Sequence, residues 1–326
     1  MFSTYLTNAI RQKGNPVVVG LDPRWDSLPS QLRGSVQSGD LQGMAAAYEQ
    51  FCLGVLDVVA PLVPVVKPQA AFFEELGPAG MVALGNVITA ARGRKLIVIL
   101  DGKRNDIGTT AAAYAAAYLR PSYLSTINPQ SADTGQKDLQ RAPQHYPWDA
   151  HALTVSPYLG EDSLTPFLDV AIQNDCGIFV LVKTSNPGGG MFQDLVANGK
   201  KIYEHVAAWV EKQSAKTADA TGYGCCGAVV GATYPEQLAE LRALMPHTWI
   251  LIPGYGAQGG TAAAVTSGFD EQGLGAVVNN SRGIIFAYKN APYAEKYGEA
   301  RWQTAVEAAT LEMIEQLRAE TPVGRL

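Results

Sequence analysis

Eight short apolar runs rich in β-branched residues recur along the chain, at residues 17–19, 63–66, 96–100, 152–155, 178–182, 228–230, 249–252 and 275–278. Continuous apolar runs, as opposed to alternating ones, suit strands covered on both faces. The segments between them carry apolar residues at helical steps of three and four: Met44, Tyr48, Phe51, Cys52, Val55, Val58 and Val59 in one, and Leu238, Leu241, Leu244 and Met245 in another. Buried strands alternating with amphipathic helices predict a parallel sheet with its outer face covered. Eight repeats of the unit suggest closure into a (β/α)8 TIM barrel, with a doubly wound open sheet as the alternative.

The chain is long enough for such a core, since 47% of its 326 residues are apolar and 17% are charged. A net charge of -5 argues against a nucleic-acid or anionic-membrane surface, where a basic face is expected. No apolar run approaches the ~18 residues of a membrane span, and Met1-Phe2-Ser3-Thr4-Tyr5 lacks the basic start of a signal peptide, so a cytoplasmic location is expected. Cys52, Cys176, Cys225 and Cys226 show no C-x-x-C spacing, and His145, His151, His205 and His247 form no ligand pair. No protein-built metal site is expected, and the thiols read as small core hydrophobes. Two stretches exceed an ordinary crossover, residues 23–42 after the first strand and 120–150 after the third. Both read as excursions from a single domain spanning 1–326. A last helix carrying Trp302, Val306, Met313, Ile314 and Leu317 on one face would complete the outer layer.

Polar residues fall where the apolar runs end. The first run leads into Asp22, the second into Lys67, and the third into Asp101-Gly102-Lys103-Arg104-Asn105-Asp106-Ile107-Gly108-Thr109-Thr110. The fourth leads into Ser156-Pro157-Tyr158, the fifth into Thr184-Ser185-Asn186-Pro187-Gly188, and the sixth into Thr233. The seventh continues as Pro253-Gly254-Tyr255-Gly256-Ala257-Gln258-Gly259-Gly260 and the eighth as Asn280-Ser281-Arg282. In a barrel all these ends meet on one rim, where such folds build their sites. Helix capping would account for Asp22 or Ser185 singly, but cations are unfavourable beside helix N-termini, so Lys67 and Lys103 need another reason. Asp101 and Lys103 are two apart on an extended chain and should share a face. The glycines at 254, 256, 259 and 260 would let backbone amides approach an anion. With the Gln258 amide and the Arg282 fork they suggest a phosphate grip.

These segments, together with Val19-Gly20-Leu21-Asp22-Pro23, Val66-Lys67-Pro68-Gln69 and Ser281-Arg282-Gly283, resemble the orotidine 5'-phosphate decarboxylase family, specifically its longer bacterial subgroup (type 2). They run in the family's order from residue 17 to 288. Gly102 and Asn105 stand where the subgroup would have Ala and Gly. The resemblance implies decarboxylation of orotidine 5'-monophosphate to uridine 5'-monophosphate, the last step of de novo UMP biosynthesis, with no metal or organic cofactor. It gives Lys103 the part of stabilising and protonating the carbanion, within a charge network of Lys67, Asp101, Lys103 and Asp106. Asp22 and Lys67 match residues that hold the ribose hydroxyls, and Ser185 matches the one that hydrogen-bonds the pyrimidine amide. Pro253, Gln258, Gly259 and Arg282 fall at the phosphate end. Asp106 and Thr110 would reach the neighbouring subunit's site, which implies a homodimer with shared sites.

Two other functions fit the same barrel. One is a metal-dependent sugar-phosphate decarboxylase or aldolase-like synthase, against which the cation Lys67 speaks. The other is a non-catalytic phosphate-ligand sensor, which would have little use for the full set of lysines and acids.

Overall fold

A computed structural model describes residues 1–37, 39–119, 148–256 and 260–326. Its strands are β1 (Val17–Leu21), β2 (Val65–Pro68), β3 (Ile97–Arg104), β4 (Ala152–Val155), β5 (Gly177–Lys183), β6 (Val196–Ala197), β7 (Lys200–Lys201), β8 (Cys226–Val230), β9 (Ile250–Ile252) and β10 (Ala276–Asn280). All but β6 and β7 join in one closed barrel, in which β1 pairs with both β2 and β10. Every neighbouring pair in the barrel is parallel. The expected (β/α)8 TIM barrel is therefore the fold, and the open sheet is excluded. The physical reason lies in the strands themselves: all residues of β1, β2, β4, β8, β9 and β10 are buried, so none of these strands has a face to give to water.

Amphipathic helices cover the outside. The helix Leu41–Val59 is capped by Asp40, whose carboxylate accepts from Gly43 N–H, and it buries Tyr48, Phe51, Cys52, Val55, Leu56 and Val59. The last helix, Trp302–Glu320, buries the five residues expected of it. Leu244 departs from the expected helical stripe. It ends the helix Pro235–Leu244 and is 45% exposed, because the stripe passes to Leu238 and Leu241. The four cysteines are free and buried, and burial raises each thiol's pKa above the ordinary cysteine value.

The helix Phe2–Lys13 and the pair β6 and β7 have no counterpart in the strand-and-helix reading above. The helix Phe2–Lys13 closes the floor of the barrel: Phe2 meets Phe179 edge to face, and a Cβ at Gly177 would lie 2.6 Å from the Phe2 ring. Its signal was the spacing of Phe2, Leu6 and Ile10, all buried. The antiparallel pair β6 and β7 turns through Asn198 and Gly199, both at positive φ, the pairing that a tight hairpin selects. Of the two excursions, the first contains a short 3-10 turn (Trp25–Ser27) and a single helical turn (Ser30–Arg33). The second lies outside the described residues except for 148–150.

Candidate active site

The C-terminal ends of the strands surround a cavity of about 400 Å³, a size suited to a small metabolite. Asp22, Lys67, Asp101, Lys103, Ser185, Pro253 and Arg282 all line it. Two close approaches between neighbouring strand ends shape its wall. A Cβ on Gly20 would lie 2.6 Å from Ser281 Cβ, and one on Gly231 would lie 2.8 Å from Ser185 Cβ, so both positions must be bare.

Three charges form a chain across β2 and β3. Lys67 Nζ lies 2.8 Å from Asp101 Oδ2, and Lys103 Nζ lies 2.6 Å from Asp101 Oδ1, so each carboxylate oxygen holds its own ammonium. Gln69 Nε2 donates to Oδ2 at 3.0 Å and the Thr154 hydroxyl donates to Oδ1 at 2.9 Å. Burial opposes ionisation of Asp101, but Lys67 and Lys103 outweigh it and hold the carboxyl well below the usual carboxylate range. Burial likewise works against the Lys67 ammonium, yet Asp101 and Asp22 reverse the effect and leave its pKa above the ordinary lysine value. The buried Lys67–Asp101 pair is thus ionised at neutral pH.

Lys103 reaches this cluster by an unexpected route. Simple alternation would place it beside Asp101, but the register between β3 and β4 shifts between Leu100 and Arg104, and Lys103 sits at φ 44°. A left-handed conformation costs a lysine about 1–2 kcal/mol. The strain is offset locally, since Lys103 N–H donates to Thr154 Oγ1 at 2.9 Å. Arg104, next along, donates to Gly102 O at 3.1 Å, pairs with Glu74, and packs over the rings of Tyr114 and Tyr118.

Asp22 lines the cavity, and its buried Oδ1 has no hydrogen-bond partner within the protein. Ser185 is carried by a loop clamped at both ends. Lys183, 3% exposed, lies between the rings of Tyr203 and Tyr234 and pairs with Asp194 at 2.6 Å. Thr184 N–H donates to Gln193 Oε1 at 3.0 Å. In the loop after β9, Gly254 and Gly256 take φ of 98° and 70°, and Gly256 N–H donates to Gly260 O. The Tyr255 hydroxyl ties this loop to Gln316 of the last helix at 2.8 Å. Gln258 and Gly259 lie outside the described residues.

Asp106 and Thr110 are not brought to this cavity. Asp106 Oδ1 accepts from Ile107 N–H at 2.8 Å, and Thr110 is exposed on the helix Gly108–Tyr118. The cavity also includes residues to which the sequence reading gave no role: Arg24, Gln69, Thr154, Asn279 and Asn280. The two asparagines were the most legible of these, as a buried polar pair closing an apolar strand.

A family profile described as Orotidine 5'-phosphate decarboxylase / HUMPS family matches residues 15–129 and 132–297. The chain belongs to this family. It is 55% identical over 317 residues to an orotidine 5'-phosphate decarboxylase of Rhodopirellula baltica, covering 97% of this chain and 99% of that one. A second decarboxylase, from Caldicellulosiruptor bescii, is 34% identical over 297 residues, 90% of this chain and 92% of the relative. Among solved structures, an orotidine 5'-phosphate decarboxylase described as putative, from Streptomyces avermitilis, superposes with a TM-score of 0.73 at 32% identity, covering 98% and 95% of the two chains. The Leishmania donovani OMP decarboxylase gives 0.69 at 31% identity over 98% of each. Family membership thus extends over nearly the whole barrel, and every described residue that lines the cavity lies within the matched residues.

Proposed function

We propose that this chain decarboxylates orotidine 5'-monophosphate to uridine 5'-monophosphate and carbon dioxide. The observation that carries the reading is the Lys67–Asp101–Lys103 chain, in which one buried carboxylate is held between two ammonium groups at the cavity floor. Breaking the bond from C6 to the carboxylate leaves an electron pair in the plane of the pyrimidine ring, where the ring cannot delocalise it. Fixed positive charge must therefore stabilise it. Lys103 supplies that charge and then donates a proton to C6, returning to the ammonium form from solvent. Its side chain is 48% exposed in the open cavity, against 5% for Lys67, so it is the lysine that an entering ring meets. Asp101 keeps Lys103 in place and lies next to the departing carboxylate.

The remaining roles are those that the family resemblance implies. Asp22, with its unpartnered oxygen, and Lys67 take the ribose hydroxyls. Ser185, on its clamped loop, takes the pyrimidine amide. Arg282 with Gln258, Gly259 and the backbone from Pro253 takes the phosphate, whose binding energy can draw the loop closed over the ring. Asp106 and Thr110 serve the site of a second copy. Support for a homodimer comes from Ile107, Tyr158 and Leu159, at 54%, 73% and 48% exposure, which follow the ends of the adjacent strands β3 and β4, as Asp106 does. The domain is read as one barrel over 1–326, with its second excursion at 120–150. No helix among the described residues is long and apolar enough to cross a membrane, and a cytoplasmic location is part of this reading.

A metal-dependent reaction on the same barrel is less well supported, because ammonium groups occupy both oxygens of Asp101, where a divalent ion would be held. The test is the loss of orotidine monophosphate absorbance on adding chelator-treated protein. Rapid loss is expected; an inactive protein that regains turnover only with a divalent ion would overturn the reading.

A further inference from the structure

The Thr154 hydroxyl stands at the centre of the Lys103 geometry, and no step described so far uses it. It is 1% exposed, at the third position of β4, and it makes two hydrogen bonds of opposite sense. It accepts from Lys103 N–H at 2.9 Å and donates to Asp101 Oδ1 at 2.9 Å. Asp101 Oδ1 also receives Lys103 Nζ at 2.6 Å. The four groups close a ring: main-chain N–H of Lys103 to Thr154 hydroxyl, hydroxyl to carboxylate, carboxylate to ammonium of the same Lys103. Both ends of one residue are tied to a single oxygen pair.

The ring forms where the sheet needs it. The β3–β4 ladder is interrupted between Leu100 and Arg104, so Lys103 N–H has no partner strand, and φ 44° turns it toward the cavity. An amide left there without an acceptor would favour relaxation to an ordinary extended backbone. A hydroxyl is the smallest side-chain group that can accept from the amide and donate to the carboxylate at once. Valine has nearly the same shape and can do neither.

We propose that Thr154 is a positioning residue for the decarboxylation, holding Lys103 in its left-handed conformation so that the ammonium faces the reacting carbon. The proposal rests on the function argued above. Its consequence is a loss chiefly in the chemical step, because Thr154 bonds the carboxylate oxygen that holds Lys103, whereas Lys67, the ribose contact in this cluster, sits on the other oxygen.

The experiment compares Thr154→Val with Thr154→Ser. For the valine variant, kcat for orotidine monophosphate should fall about a hundredfold, the scale of a misplacement near 1 Å, with KM and uridine monophosphate affinity changed less than about threefold. The serine variant, which keeps the hydroxyl and loses only the methyl, should recover most of that loss. If valine does not fold, Thr154→Ala read against Thr154→Ser makes the same comparison. An unchanged kcat in the hydroxyl-free variant, or serine as impaired as valine, would overturn the proposal. A second readout does not depend on turnover. Amide hydrogen exchange at Lys103 should accelerate at least about tenfold without the hydroxyl and stay slow with serine. Equal exchange in both variants would also overturn the proposal, whereas a wild type inert toward orotidine monophosphate would overturn the decarboxylase reading alone.

Discussion

Lys67 and Asp101 meet across the seam between β2 and β3 at 2.8 Å, with side chains only 5% and 10% exposed. Removing one member of a buried pair leaves the other charge without its partner, at a typical cost of about 3–5 kcal/mol. Asp101→Ala should therefore lower unfolding stability by that order at pH 7. Lys103→Ala should cost much less, since the Lys103 side chain is 48% exposed and Asp101 keeps Lys67. Urea titration of the two variants checks the order. The pair's contribution should be flat across neutral pH. The depressed Asp101 pKa means its share is lost only as pH falls through a folded value well below the unfolded one. The raised Lys67 pKa means its share is lost only as pH rises through a folded value above the unfolded one.

Arg282 lines the cavity with Gly254 and Tyr255. Arg282→Ala should raise KM for orotidine monophosphate by roughly a hundredfold or more, the scale of one charge-assisted contact, and should hardly change the slow reaction of the nucleoside lacking phosphate. Steady-state kinetics on both substrates decides it. Equal losses on the two would remove Arg282 from phosphate binding.

Asp106 does not line its own chain's cavity, so the proposed shared site is testable by mixing. Lys103→Ala and Asp106→Ala homodimers should each be nearly inactive, the first still binding uridine monophosphate. Unfolded together and reassembled, half the dimers become hybrids with both lesions in one site, so about a quarter of wild-type activity should return. No recovery after demonstrated subunit exchange would count against a shared site.

His151 provides a pH-dependent element remote from the chemistry. Its Nδ1 accepts from Val98 N–H at 3.0 Å, and burial, with the nearby Arg92 charge, pushes its pKa down to about 3. Between the unfolded value near 6.5 and that folded value, the unfolded chain takes up a proton that the folded one refuses. Stability should therefore fall with acidification below about pH 6.5, by at most about 1.4 kcal/mol per pH unit from this residue. The residue keeps some exposure, and solvent there will make the slope shallower than that limit. Urea melts of the wild type and His151→Gln at pH 7.5, 5.5 and 4.5 should show the steeper decline only in the wild type.

The barrel was legible in the sequence because its cause is local and repeated. Each apolar run, from Val17 to Val278, is a strand too hydrophobic to leave either face in water, and each intervening segment shows a helical stripe. The rim followed from the same rule, since parallel strands carry their C-terminal residues to one side. That placed Asp22, Lys67, Asp101, Ser185 and Arg282 around a common cavity before any distance was known. Family resemblance added roles that spacing could not.

What only the tertiary structure decided is how those side chains are held. Lys103 faces Asp101 through a left-handed backbone and a broken register, where alternation alone had stood as the reason. Its support comes from Thr154, 51 residues away on the next strand, and no local pattern marks a threonine in an apolar run as the acceptor for a distant amide. The Lys183–Asp194 clamp behind Ser185 likewise depends on two aromatic rings from separate segments, Tyr203 and Tyr234. A chain's local sequence sets which faces are apolar and where strands end. Hydrogen bonds between strands far apart in sequence form only once the barrel has closed, so their partners are chosen by geometry that no single segment contains.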